Sequence, residues 1–158
     1  MGSAAATAGR IGKRSRSART RFRSSDEFRQ VLDRALAEVD ADDRAGPLLH
    51  AAGLRLRFRL TDLGQVLDIA ASDDRRHHLR WSFAGDGSFE PKLDVSLDSE
   101  VLNGYLQGKE SLAIATARGR VHWQGEARSA LLYLPAARLM VEPYRRVVKR
   151  DFPHLALD

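Results

Sequence analysis

Residues 93–134 read LDVSLDSEVLNGYLQGKESLAIATARGRVHWQGEARSALLYL. Leu93, Val95 and Leu97 alternate with Asp94 and Ser96, the period-two pattern of a strand with one buried face. Asp98 or Ser99 then sits where a helix N-cap belongs, Val101, Leu102, Tyr105 and Leu106 form an apolar stripe, and Gly108 stands at the C′ position. "ESLAIATARG" at 110–119 predicts a second short helix closed by Gly119, and "RVHWQ" at 120–124 a further strand. From 126 the pattern is helical, with a break or kink at Pro135 and a restart through "ARLMVEPYRRVVKR". Apolar residues flank one short strand on both sides, and the stretch shows no nucleophile elbow, metal cluster or phosphate loop.

Upstream, "LRLRFRL" at 54–60 is the cleanest strand. Leu54, Leu56, Phe58 and Leu60 point one way, while Arg55, Arg57 and Arg59 point the other, so one sheet face is expected buried and the other wet. "QVLDIAAS" at 65–72 returns with Leu67 and Ile69 on one face, and "LRWSF" at 79–83 alternates with Leu79, Trp81 and Phe83 inward. Short polar connections between these three strands predict an antiparallel meander. Asp68 is placed to neutralise part of the arginine row from across the strand. Ahead of the meander, Phe28, Val31, Leu32, Leu36 and Val39 recur at helical spacing, and Ser24 with Glu27 has the spacing of a capping box, so a helix is expected over about 26–40. "GPLLHAAG" at 46–53 predicts a short helical turn.

The 158 residues suffice for one domain with a real core, and the absence of cysteine excludes disulfides and thiolate metal sites. The first 25 residues carry Arg10, Lys13, Arg14, Arg16, Arg19, Arg21 and Arg23 and no acid, whereas the remainder is close to neutral. That Arg-, Ser- and Ala-rich segment holds too little apolar surface to offset its ordering entropy, so residues 1–25 are expected to be a disordered basic tail and 26–158 a single domain. Beside this plain reading stand contact with nucleic acid or an anionic membrane, and a transit peptide. Myristoylation at Gly2 is a third, against which Ala6 counts. The longest apolar run, "ALLYLPAARLMV" at 130–141, is too short to cross a bilayer and there is no secretory h-region, so a cytoplasmic location is expected. Arginine outnumbers lysine 22 to 4, a hint of a GC-rich bacterial genome.

Other chemistry is thin. His50, His77, His78, His122 and His154 have no helical i, i+4 partner and no HExxH pattern, so no metal is expected. Gly85 and Gly87 in "AGDGSF" lack the helix and further glycines of a nucleotide loop, and Asp73 and Asp74 lie in a polar loop with nothing to raise a pKa. The row Arg55, Arg57 and Arg59 reads first as a solvated sheet face and second as a docking surface for an anionic group.

The pieces Asp94–Leu97, Asp98–Leu106, Gly108 and "ARGRVHWQG" at 117–125, followed by an apolar helix, resemble the sterol carrier protein type 2 family of lipid-binding domains, in a bacterial single-domain form. The resemblance spans about residues 28–148, with Trp123 a departure where the family more often carries a smaller or aliphatic residue. It implies an α+β fold in which a five-stranded mixed sheet is covered on one face by helices. It also implies an elongated apolar tunnel between the layers that takes a sterol, a fatty acid or acyl-CoA ester, or an isoprenoid. No catalytic residue and no cofactor come with it, so a non-enzymatic lipid-binding or lipid-transfer domain is expected. On this reading the lining is expected at Leu67, Ile69, Trp81, Phe83, Leu102, Leu106, Leu112, Val121, Trp123, Leu131 and Leu139. Two other classes remain open: an accessory subunit docking to an enzyme of lipid or acyl-CoA metabolism, and a binder of nucleic acid or anionic membrane through the tail. A lipid ligand is the expected partner, with a transient membrane or enzyme partner beside it.

Overall fold

The alternation of leucine and arginine over 54–60 builds the central strand of the fold. A computed structural model describes residues 20–158 of the chain. Its strands are β1 (Arg55–Leu60), β2 (Gln65–Ala71), β3 (Leu79–Ser82), β4 (Leu93–Leu97) and β5 (His122–Gly125). They form one sheet in the order β3-β2-β1-β4-β5, with β1 parallel to β4 and every other pair antiparallel. The expected meander is β1-β2-β3, and the sheet is mixed, as the resemblance implied.

Helices cover one face. They are α1 (Ser25–Ala41), α2 (Ala45–Ala51), α3 (Ser99–Leu106), α4 (Leu112–Ala117), α5 (Ala127–Ala136) and α6 (Val141–Asp151). The Ser24 hydroxyl caps α1 by accepting from the Glu27 N–H at 3.1 Å, and the Glu27 carboxylate reaches back to accept from the Arg23 N–H. Asp98 caps α3 through the Val101 N–H. Pro135 does not break α5: the last helical residue is Ala136, and a 3₁₀ turn over Ala137–Met140 makes the bend into α6. Leu56, Phe58 and Leu60 of β1, Leu67 and Ile69 of β2, and Leu93, Val95 and Leu97 of β4 are buried against Phe28, Val31 and Leu36 of α1 and Tyr144 and Val147 of α6.

The core also takes in Phe22, whose ring meets Phe28 edge-on at 5.4 Å. The boundary expected between 25 and 26 therefore cuts through packed chain: Arg21 pairs with Glu100 at 3.2 Å, and the Thr20 carbonyl accepts from Asn103. The remainder of the expected tail, with Arg10, Lys13, Arg14, Arg16 and Arg19, lies outside the described residues.

The second sheet face is not simply wet. To join β3 at one edge to β4 beyond β1, the segment 83–92 crosses the sheet on the side away from the helices. Phe89 packs under the guanidinium of Arg55 at 4.8 Å, and Arg55 donates to the Glu90 carbonyl. Arg57 is buried beneath this crossing and forms a two-pronged ion pair with Asp68, its cross-strand neighbour. Of the arginine row, Arg59 alone is exposed, facing Asp94 at 2.9 Å. The solvated reading holds at Arg59 and is corrected at Arg57.

β5 ends at Gly125, whose φ of 134° is open to glycine and strained for other residues. A methyl group there would run into the Lys92 carbonyl oxygen. Gly125→Ala is expected to cost roughly 2–3 kcal/mol, and to raise amide exchange over His122–Gly125 before the rest of the sheet. Urea unfolding with hydrogen exchange checks it; unchanged protection of the Trp123 amide would contradict it.

Candidate functional site

The stretch on both sides of β5 leaves a gap. Ser111 caps α4 by accepting from the Ile114 N–H at 3.3 Å, and the chain leaves that helix through Gly119 at φ 74°. α4 turns Leu112 and Ala115 into the core. β5 then pairs with β4 so that Trp123 stands opposite Val95 on the helix side. α5 starts at Ala127 and brings Ala130, Leu131 and Leu134 to the same place. Between them lies a cavity of about 250 Å³ lined by Val95, Leu112, Ala113, Thr116, Val121, Trp123, Ala130, Leu131 and Leu134.

The lining is apolar but for Thr116, whose hydroxyl is occupied in donating to the Leu112 carbonyl at 2.7 Å. The space is open on one side: Val95, Leu112, Val121 and Ala130 form its buried wall, while Ala113, Thr116, Trp123 and Leu131 are exposed around it. Ala113 and Ala130 each contribute only a methyl group to its wall. Next to it, sharing Leu112, Ala113 and Leu134, runs a more open groove of about 960 Å³. Its other walls are polar as well as apolar, with Tyr105, Lys109, Glu110, Ser111, Arg138 and Glu142 among them. The Tyr105 hydroxyl donates to the Leu134 carbonyl at 2.9 Å, and burial pushes its pKa up to about 12 against the pull of the Arg138 cation. It is therefore a neutral donor at any physiological pH.

Of the eleven positions expected to line a site, Leu112, Val121, Trp123 and Leu131 meet at this cavity. Leu67, Ile69, Leu102 and Leu106 are buried in the close-packed core. Trp81, Phe83 and Leu139 are half-buried against it, Trp81 donating its indole N–H to Asp33 at 2.9 Å and Phe83 meeting Phe28 edge-on at 5.7 Å. Val95, Ala113, Thr116, Ala130 and Leu134 complete the lining and were not singled out from the sequence. Val95 was legible as an inward residue of β4; the alanines and Thr116 carry no pattern that marks a wall.

Two of the histidines tie loops to neighbouring elements. His50 donates to the Ser72 carbonyl at 2.9 Å, and His77 donates to Asp40 at 2.8 Å. Burial works against the Asp40 carboxylate, but His77 and the backbone N–H groups of Leu79 and His78 together hold its pKa below the ordinary range. No group of three or more metal-ligating side chains occurs among the described residues. A depression of about 200 Å³ on the opposite sheet face is walled by Arg55, Asp68, Arg80 and Asp86 together with Ala70, Trp81 and Phe89.

No protein-family model matches the sequence, and no curated protein matches it. Among solved structures, the sterol carrier protein domain 2 of Helicoverpa armigera aligns with a TM-score of 0.55 and 14% identity, over 73% of this chain and 87% of that one. The apo form of sterol carrier protein 2 from Yarrowia lipolytica aligns with a TM-score of 0.51 and 11% identity, over 75% of this chain and 92% of that one. The chain has the sterol carrier protein 2 fold. At these identities the likeness is one of architecture. The stereoselective inverting sec-alkylsulfatase Pisa1 from a Pseudomonas species aligns at a TM-score of 0.47 and 16% identity over 58% of this chain. This chain spans only 14% of that enzyme's length. Within the sterol carrier protein 2 fold as this chain builds it, the cavity sits at the β5 edge of the sheet, under α4 and α5.

Proposed function

We propose that this protein is a non-catalytic lipid carrier that holds the apolar chain of an amphiphile in the cavity between α4, α5 and the β4–β5 edge. The observation that carries the reading is the cavity itself: about 250 Å³ of space walled by apolar side chains apart from Thr116. Burial drives binding, at about 0.8 kcal/mol for each methylene taken out of water. The adjoining groove, with Lys109, Ser111 and Arg138, takes the polar end. That division suits a single-chain lipid such as a fatty acid, an acyl ester or an isoprenoid. The carrier unit is the packed domain that starts ahead of Phe22. The lining offers no carboxylate, imidazole or free hydroxyl with which to do chemistry, which supports a carrier over an enzyme.

Delipidated protein titrated with a fluorescent fatty acid is expected to bind at micromolar levels. Ala113→Trp fills the cavity from its rim and is expected to weaken that binding at least roughly tenfold, a loss of about 1.4 kcal/mol, without changing the far-ultraviolet circular dichroism. Mass spectrometry of the native protein should find the co-purifying lipid. The reading is overturned if Ala113→Trp binds as the parent does, or if acyl, sterol and isoprenoid probes all fail to bind.

A further inference from the structure

We propose that the outer face of α4, β5 and α5 docks onto an anionic lipid bilayer, with the mouth of the cavity turned toward the headgroups. This rests on the carrier reading but concerns a different event, delivery at a membrane rather than retention in the cavity.

The first observation is apolar exposure. The large hydrophobic side chains left exposed among the described residues are Leu48, Ile114, Trp123, Leu131 and Leu132, at 48%, 52%, 41%, 79% and 50%. Scattered single residues of this kind are normal on a soluble surface. Here four of the five fall within nineteen residues, on the three elements that enclose the cavity. Trp123 and Leu131 both line the cavity and reach solvent, so they stand at its mouth. Ile114 and Leu132 are the chain neighbours of lining residues Ala113 and Leu131. A clustered apolar rim of this kind marks an interaction surface.

The second observation is charge. Over residues 20–158 basic and acidic side chains balance, 21 against 21, yet over 111–138 Arg118, Arg120, Arg128 and Arg138 face the single acid Glu126. Elsewhere Arg34 pairs with Asp151, Arg146 and Arg150 with Glu38, and Arg57 with Asp68, while Arg44, Arg75, Arg76, Arg80 and Arg145 form no ion pair among the described residues, so what sets this stretch apart is its shortage of acids. Arg120 reaches Asp98 at 3.4 Å. Arg118 and Arg128 are exposed and make no ion pair among the described residues. Unpaired cations around an apolar rim match a surface of acyl chains beneath anionic headgroups, and a tryptophan at the edge suits the interfacial layer.

A second copy of the chain fits worse. A two-fold interface would set this arginine-rich patch against the same patch of the second copy, a juxtaposition of like charge that opposes association. The bilayer also uses the continuity of rim and cavity, because a lipid leaving the membrane would pass from one apolar surface to the next without crossing water.

The test uses the full chain and vesicles of phosphatidylcholine with or without phosphatidylglycerol. Co-sedimentation is expected with the anionic vesicles only and is expected to weaken as salt rises. Each of Leu132→Glu and the pair Arg118→Glu with Arg128→Glu is expected to lower the vesicle partition coefficient at least roughly tenfold. None of these residues lines the cavity, so fatty-acid binding in vesicle-free solution should stay unchanged, whereas Ala113→Trp should do the reverse. Indole emission should shift to shorter wavelength on vesicle binding, and Trp123→Phe should remove the shift because Trp81 is held by Asp33 beneath α1. Unchanged partition in both variants overturns the proposal, as does a dimer in sedimentation equilibrium that Leu132→Glu dissociates.

Discussion

Asp68→Ala is expected to cost about 3–5 kcal/mol of folding stability, enough to unfold a marginal domain in mild urea. Asp68 and Arg57 are register partners on β2 and β1. The Arg57 guanidinium donates to one carboxylate oxygen at 2.6 Å and to the other at 2.9 Å, and less than a tenth of either side chain is exposed. Phe89 lies 5.6 Å from the guanidinium and the Asp86 carbonyl accepts a longer bond at 3.4 Å, so the 83–92 crossing seals the pair from solvent. Removing the carboxylate leaves a buried cation whose charge neither phenyl ring nor carbonyl can balance. Arg57→Met combined with Asp68→Leu is expected to fall within about 1 kcal/mol of the parent, because both desolvation costs vanish with the pair. Asp94→Ala opposite the exposed Arg59 should cost about 0.5 kcal/mol or less. Equilibrium urea unfolding of the three variants decides the matter; equal midpoints for Asp68→Ala and Asp94→Ala would mean that the crossing does not shield Arg57.

Why the architecture was legible and the site only partly so follows from what each kind of residue records. The arginine and leucine alternation of β1, the Ser24 and Asp98 caps, and the glycines at 108 and 119 act on their own neighbourhood, so the chain displays them locally. The burial of Arg57 depended on the path of 83–92, which follows from strand order and not from local pattern. The cavity is subtler still. Leu67 and Leu112 are equally apolar in sequence and both are buried, yet only Leu112 also borders the cleft. The difference lies in what faces them, here Ala113 and Ala130, and an alanine reads alike whether it allows close packing or leaves room. Exposure was equally hidden, since Leu131 was expected as a wall of the ligand space and is in addition 79% exposed.

The polar cluster at the base of α3 was hidden for the same reason, and Asn103→Leu is expected to destabilise the protein by about 3 kcal/mol despite adding apolar volume. Asn103 is buried, and its amide donates to the Thr20 carbonyl at 2.9 Å and the Leu155 carbonyl at 3.0 Å. Its oxygen accepts from Gln107 at 2.8 Å and from the Tyr144 hydroxyl at 2.7 Å. One side chain thereby ties α3 to the start of the described chain, to α6 and to the C-terminal turn, where Gln107 adds a bond from the Leu157 N–H. Leucine at 103 strands the Tyr144 hydroxyl in the core, and each orphaned buried group costs about 1–3 kcal/mol. Burial already pushes the Tyr144 pKa up, so the phenol cannot escape by ionising. The pairing gives the test its sharpness. Tyr144→Phe alone should cost about 1 kcal/mol, but in the Asn103→Leu background it should recover stability, because both ends of the lost bond are then apolar. Thermal and urea unfolding of the two single variants and the double variant measure the coupling, and purely additive losses would show that the hydroxyl reaches water or another acceptor once Asn103 is gone.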